Sequence, residues 1–421
     1  MRRSIIVELA DRVRRMTPPG LGEISAHAHR RAGARRSILR LDAEDLGWAP
    51  PPLAWLGSGG EGEIRRWMAD RLGCVGSSSD EVLLLRGPLA PHHLIALAFL
   101  NPGESVLMPD PGPPIFRTAA LLAGAHPVGF PGDSAASGAG AGSARARGRG
   151  AGGPARGAAS FVGARSSARL QFLAPLAAPT GCADPPGFLD DVVRAALLDS
   201  RILVEDVSGL LLDLGLLTDD QGAPAPHPTL LAHPRGPGAG IEIVTFDALF
   251  GAGRSPFSIV YGNRDLVAGV RRVASSLGLP VGAPAGRAIA QFLSAVDDAV
   301  ARARPRLFAR REELAAGLCD LGLLGTSGWP VAGFTLWARL PSAYRSLRFT
   351  RILFRRAGVL VRPGTDFGES GEGRIAISYA LSKKALARAL DRLDKRAPRK
   401  LVFERRFWSA MREIAERIRS R

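Results

Sequence analysis

The stretch Ile241–Asn263, reading IEIVTFDALFGAGRSPFSIVYGN, sets the tightest limit on how this chain can fold. Its first part is an apolar run with the β-branched Ile243, Val244 and Thr245, which reads as a buried strand. A turn, Gly251-Ala252-Gly253, follows, and a second apolar run from Phe257 to Tyr261 reads as the next strand. Similar runs recur at Glu81–Arg86, Leu170–Leu173 and Ile202–Val204, with helical patterns over 60–79, 92–100 and 187–199 between them.

At 421 residues and 46% hydrophobic, the chain has room for one large two-part domain or two domains, and for a sizeable core. No run of 18 uncharged apolar residues occurs, so no membrane span is expected. The opening apolar run is broken by Glu8 and Asp11, unlike a signal peptide. Cys74, Cys182 and Cys319 are scattered and odd in number, which fits a reducing cytoplasm and no metal knuckle. His92 and His93 are neighbours that point in different directions on a helix, so no metal site is expected there. The net charge of +17 admits a nucleic-acid or anionic partner. Only four of the 56 basic residues are lysine, however, and Gly and Pro are abundant, so a general bias towards Arg, Gly, Ala and Pro is the stronger reading. No lysine precedes Lys383.

Particular motifs accompany these elements. Asn101-Pro102-Gly103 and Pro109-Asp110-Pro111-Gly112 lie in 100–130, and Pro179-Thr180-Gly181 follows the strand at 170–173. Glu205-Asp206 ends the strand begun at Ile202. Gly358-Val359-Leu360-Val361-Arg362-Pro363-Gly364 and Gly371-Glu372-Gly373-Arg374 occupy the last third. Over residues 15–395 the chain resembles the class I and II aminotransferases of fold type I, which use pyridoxal phosphate (PLP). Met16-Thr17-Pro18-Pro19 with Ile24 resembles the LL-diaminopimelate aminotransferase-like branch. The resemblance implies a mostly parallel seven-stranded large domain with helices on both faces, a smaller α/β C-terminal domain, and a dimer with its sites at the interface.

It also assigns roles. Asp206 matches the acid that pairs with the pyridinium nitrogen, and Thr245 keeps a hydroxyl near the phosphate site. Ala248 stands where the family has its cofactor-binding lysine. Other positions differ as well: Pro88-Leu89 in the phosphate turn, Pro113 for the ring-side Tyr, Ala178 for the Asn at the phenolic oxygen, and Gly209 for a Tyr there. Pro256 replaces the phosphate Arg, with Arg254 two residues earlier, and Ala376 replaces the carboxylate Arg. Arg374 is then the candidate for holding substrate, on the same strand face as Ala376 but about 7 Å away. Alanine can neither bond PLP nor move a Cα proton. Each lost contact weakens cofactor binding by about 1–3 kcal/mol.

The expected organisation is an N-terminal arm with part of the small domain over 1–50, a large domain over 51–290, a small domain over 291–395 and a basic amphipathic tail helix over 396–421. Residues 131–169 read as a low-complexity Arg/Gly insert. The leading functional expectation is a family member that has lost PLP catalysis and carries no cofactor. It would act as a binding or scaffolding partner, as a homodimer or paired with a related aminotransferase. The alternatives are a working PLP transaminase of an amino acid, with PLP as cofactor, and a nucleic-acid-associated protein using the insert and tail.

Overall fold

The computed structural model describes residues 24, 38–42, 46, 48–51, 53, 60–72, 80–86, 91–131, 167–176, 179–217, 227–251, 254–279, 286–320, 330–340 and 344–396. Most of the N-terminal arm, Pro88-Leu89, most of the 131–169 insert, Ala178 and the 396–421 tail, Arg396 excepted, lie outside the described residues.

The first half of the chain runs β1 (Leu39–Arg40), α1 (Gly60–Leu72), β2 (Asp80–Arg86), α2 (Pro91–Phe99), β3 (Ser105–Asp110), α3 (Pro114–Leu122) and β4 (His126–Pro131). After the insert come β5 (Leu170–Leu173), α4 (Phe188–Asp199), β6 (Ile202–Asp206), β7 (Gly240–Val244), the single turn α5 (Asp247–Phe250), β8 (Phe257–Asn263) and α6 (Arg264–Ser276). The long α7 (Gly286–Asp320) leads to β9 (Thr335–Arg339), α8 (Ser346–Ala357), β10 (Val359–Leu360), β11 (Arg362–Pro363), β12 (Arg374–Ser378) and α9 (Lys383–Arg396). Local chemistry sets several ends. Asn263 caps α6 by accepting from the amides of Asp265 and Leu266, and Gly358 ends α8 at φ 66°, a left-handed conformation suited to glycine.

Seven strands form one sheet in the order β2-β8-β7-β6-β5-β3-β4, in which only β8 runs against the others. This is the mostly parallel seven-stranded α/β sheet that the family resemblance implies. Its strands are buried on both faces. One face packs Leu94, Phe116, Phe172, Val204, Ile243 and Val270 beneath α2, α3 and α6. The opposite face is covered towards β4 and β5 by α4, through Val192, Val193 and Leu203. Farther along that face lie α1 and α7, whose Ile64, Met68 and Phe292 join Phe246 and Phe257 in a core shared with the C-terminal part.

The C-terminal part holds an antiparallel sheet in the order β11-β12-β9, while β10 pairs in parallel with β1, near the start of the chain. Two contacts pin this part over the C-terminal edge of the large sheet. The carboxylate of Asp110 accepts from the amides of Glu369 and Ser370, both at 3.1 Å. The carbonyl of Gly181 accepts from Val331 and Ala332 at 2.8 and 3.1 Å. Position 181 has φ 61°, and a Cβ there would sit 2.3 Å from the carbonyl oxygen of Ala332, so the turn admits only glycine.

Candidate functional site

Asp206 is the last residue of β6, where the strand gives way to a 3-10 turn over Val207–Leu212. Its Oδ1 caps that turn by accepting from the amide of Ser208 at 3.0 Å. Its Oδ2 lies 2.9 Å from His92 Nε2, in the first turn of α2. The His92 ring is buried beside Phe116 and Phe172, with centroids 5.4 and 6.2 Å away. Burial alone pushes the Asp206 carboxyl up, but His92 and the two groups of Ser208 outweigh it and hold the acid below its ordinary range. The acid is therefore ionised at neutral pH, and His92 Nε2–H donates to it.

Thr245 follows β7 and meets the same turn. Its amide donates to Ser208 Oγ at 2.7 Å, and the two hydroxyls are 3.2 Å apart. Ala248 lies in α5, one helical turn beyond β7, and its carbonyl accepts from the amide of Leu46 at 2.9 Å. Asp206, Ser208, Gly209, Thr245 and Ala248 line one pocket of about 170 Å³, closed on its far side by Ala332–Thr335. The fold thus brings together Asp206, Thr245 and Ala248, three positions singled out in the sequence.

Other expected positions lie elsewhere. Arg374, on β12, does not line this pocket; its guanidinium is 5.9 Å from the ring of Trp337. Ala376 is buried with Trp337 and Phe367, whose rings meet edge to face at 5.7 Å. Arg254 is exposed and donates to the carbonyl of Trp48 at 3.2 Å, away from the pocket. Lys383 and Lys384 are exposed at the start of α9, and among the described residues no lysine lines the pocket. Among the described residues no cluster of three His, Cys, Asp or Glu could hold a metal ion, and no helix is long and apolar enough to cross a membrane.

Gly209 meets the backbone of Pro175 and Leu176 at close range beside the pocket. A Cβ at this position would lie 2.6 Å from the carbonyl oxygen of Pro175 and 2.9 Å from the backbone of Leu176. Leu176 has φ 58°, is 1% exposed, and itself lines the pocket. Chain backbone therefore fills the place where a side chain at 209 would project. Sequence reading weighed His92 only as a metal ligand and missed its pairing with Asp206, and it missed Ser208. His92 had a usable signal, a polar residue on the first turn of an otherwise apolar helix directly after a strand.

The sequence model of the "Aminotransferase class I and II" family matches residues 257–393. An LL-diaminopimelate aminotransferase of Halothermothrix orenii is 25% identical over 334 residues, covering 78% of each chain. One from Moorella thermoacetica is 27% identical over 319 residues, 75% of this chain and 74% of its own. Among solved structures, substrate-bound BacF of Bacillus subtilis superposes with a TM-score of 0.72 at 18% identity, covering 93% of this chain and 98% of that one. Aspartate aminotransferase of Thermus thermophilus with maleate gives 0.69 at 21% identity, covering 93% and 100%. The family model over residues 257–393, the curated relatives and the solved structures all liken this chain to the class I and II aminotransferases, and it has their fold.

Proposed function

We propose that this family member has lost PLP catalysis and works as a binding or scaffolding protein, as a homodimer or paired with a related aminotransferase in the cytoplasm. The observation that carries the reading is Ala248, a methyl group lining the pocket beside Asp206 with no lysine among the described lining residues. Three further features support it. The pocket, at about 170 Å³, is below the roughly 300–1,000 Å³ of ordinary small-molecule sites. Backbone at Pro175 and Leu176 occupies the space beside Gly209. Among the described residues no arginine or lysine lines the pocket to hold a phosphate or a carboxylate. These residues do not fit a covalently held PLP, so no chemical step is assigned to it.

The alternative, a working transaminase of an amino acid, draws on one observation: Asp206 is retained, ionised and at the pocket. One experiment separates the two. The full chain is purified with excess PLP, its visible absorbance recorded, and any adduct fixed with borohydride and mapped by mass spectrometry. The expected result is no lysine-bound pyridoxal. An adduct on Lys383 or Lys384, or turnover of any amino acid, restores the catalytic reading. Light scattering of the same preparation tests for the dimer.

A further inference from the structure

A groove of about 670 Å³ runs along α8, on the C-terminal part of the molecule. Arg348, Arg351 and Arg355 line it at helical spacing and are exposed, and Arg345 stands just ahead of the helix. Leu347 and Ile352, both half-buried, add apolar lining, and Thr365 and Glu372 join from the chain between β11 and β12.

The charge here is one-sided. Glu372 is the one carboxylate among the described lining residues, and it is engaged at the start of α8. Its Oε1 accepts from the amides of Ser346 and Gly373, both at 2.8 Å. Burial pushes this carboxyl up, but those amides, the Ser346 hydroxyl and the Arg345 charge outweigh it and hold the acid below its ordinary range. Arg345 therefore has a counter-charge. Arg348 and Arg355 have none among the described residues, and α8 itself carries no acidic residue. Elsewhere exposed basic side chains on helices do find an acid one turn away, as Arg66 does in Glu63, Arg194 in Asp191 and Lys395 in Asp391. A general surplus of arginine does not by itself leave two neighbouring cations uncompensated.

Arg348 and Arg355 are seven residues apart, which is about 10.5 Å along the helix axis. That separation suits two phosphates of one chain better than a single small anion; it is the rise of about three nucleotides in a stacked strand, at roughly 3.4 Å each. The planar guanidinium fork binds phosphate oxygens bidentately. No aromatic side chain among the described lining residues offers a base-stacking surface, and Thr365 is the one uncharged polar side chain, so the groove has little with which to read bases.

We propose that this groove binds the phosphate backbone of a single-stranded nucleic acid, without regard to base sequence. Arg348 and Arg355 each hold a phosphate. A flexible strand can follow the groove past Leu347 and Ile352, where a stiff duplex meets only its rim. The net charge of +17 draws such a strand in. The groove shares no described lining residue with the Asp206 pocket, and its role is independent of whether that pocket is catalytic.

The chain also has arginine-rich stretches at 131–169 and 396–421, so the test uses substitutions within the groove. Fluorescence anisotropy of a labelled oligothymidylate is followed across NaCl concentrations with the full chain. Wild type is compared with Arg348→Gln/Arg355→Gln and with Arg264→Gln/Arg272→Gln, the latter two being exposed arginines of α6 outside the groove. Each phosphate contact contributes about 0.7 to the slope of log affinity against log salt, so the groove pair should flatten the slope by about 1.4 and weaken binding about tenfold at about 0.1 M salt. The α6 pair should leave the slope unchanged. Should the groove pair not fold, either single substitution should flatten it by about 0.7. Absence of binding by wild type overturns the proposal, as does a wild-type slope in the groove variants, which assigns binding to the other arginine-rich stretches. It is equally overturned by a duplex of the same length that binds more tightly, or by pyrophosphate that displaces the strand at equal phosphate concentration.

Discussion

If Asp206 has lost its cofactor role, the carboxylate should still carry a structural load, and Asp206→Ala measures it. The substitution removes the acceptor 2.9 Å from His92 Nε2 and the one 3.0 Å from the Ser208 amide. A hydrogen bond to a charged group contributes about 1.5–3 kcal/mol and an ordinary one about 0.5–1.5 kcal/mol. The Asp206 side chain is 13% exposed, so water entering from the pocket recovers part of the second. A net loss of about 2–4 kcal/mol follows. Unfolding entropy scales at about 2.1 cal/mol/K per residue, so a 3 kcal/mol loss lowers the Tm of a chain of 421 residues by about 3 °C. Circular dichroism melts at pH 7 should show this fall. The pH dependence adds a second readout. The folded carboxyl is held below its reference value of 3.8, so its stabilisation is present above that pH and lost as pH falls through the folded value. The gap between wild type and Asp206→Ala should therefore narrow in acid. A Tm unchanged at pH 7, or a gap that persists undiminished to pH 3, refutes the structural account.

Glu205 gives the opposite sign. Burial, then the facing Glu242, pushes its carboxyl well above the ordinary 4.5, so the folded state loses stability as pH rises from that value through the folded one. Glu205→Gln can still accept from Leu230 and should raise Tm at pH 8 but not at pH 4.5; an equal shift at both pH values contradicts this. Gly209→Ala forces a Cβ to 2.6 Å from the Pro175 carbonyl oxygen and should destabilise by about 1–3 kcal/mol, read by urea denaturation; a neutral result means the 174–176 backbone yields readily. Ala248→Lys should not restore transamination, because among the described residues no cation for a phosphate or carboxylate lines the pocket; turnover in this single variant would return the catalytic reading to first place.

Much of this architecture is legible in the chain itself. Apolar runs with β-branched residues mark β6, β7 and β8. Asn263 and Gly358 mark helix ends by local hydrogen bonding and left-handed backbone. The family resemblance singled out Asp206, Thr245 and Ala248, and they line one pocket because each sits within four residues of a strand end and these strand ends share an edge of the sheet. Contacts between residues far apart in sequence are another matter. His92 reaches Asp206 across 114 residues, and nothing in the periodicity of α2 says which strand its first turn will face. The amino acid at 209 suggested a missing side chain; only packing reveals that the backbone of Pro175 and Leu176 fills the space. Arg374 shares a strand face with Ala376, as alternation requires, but the pairing of β12 with β9 sets it by Trp337 instead of in the pocket. The groove along α8 is hidden in the same way, because Thr365 and Glu372 join its lining from the chain between β11 and β12. Local sequence specifies backbone conformation and which side chains face inward; the order in which strands assemble decides what those side chains meet.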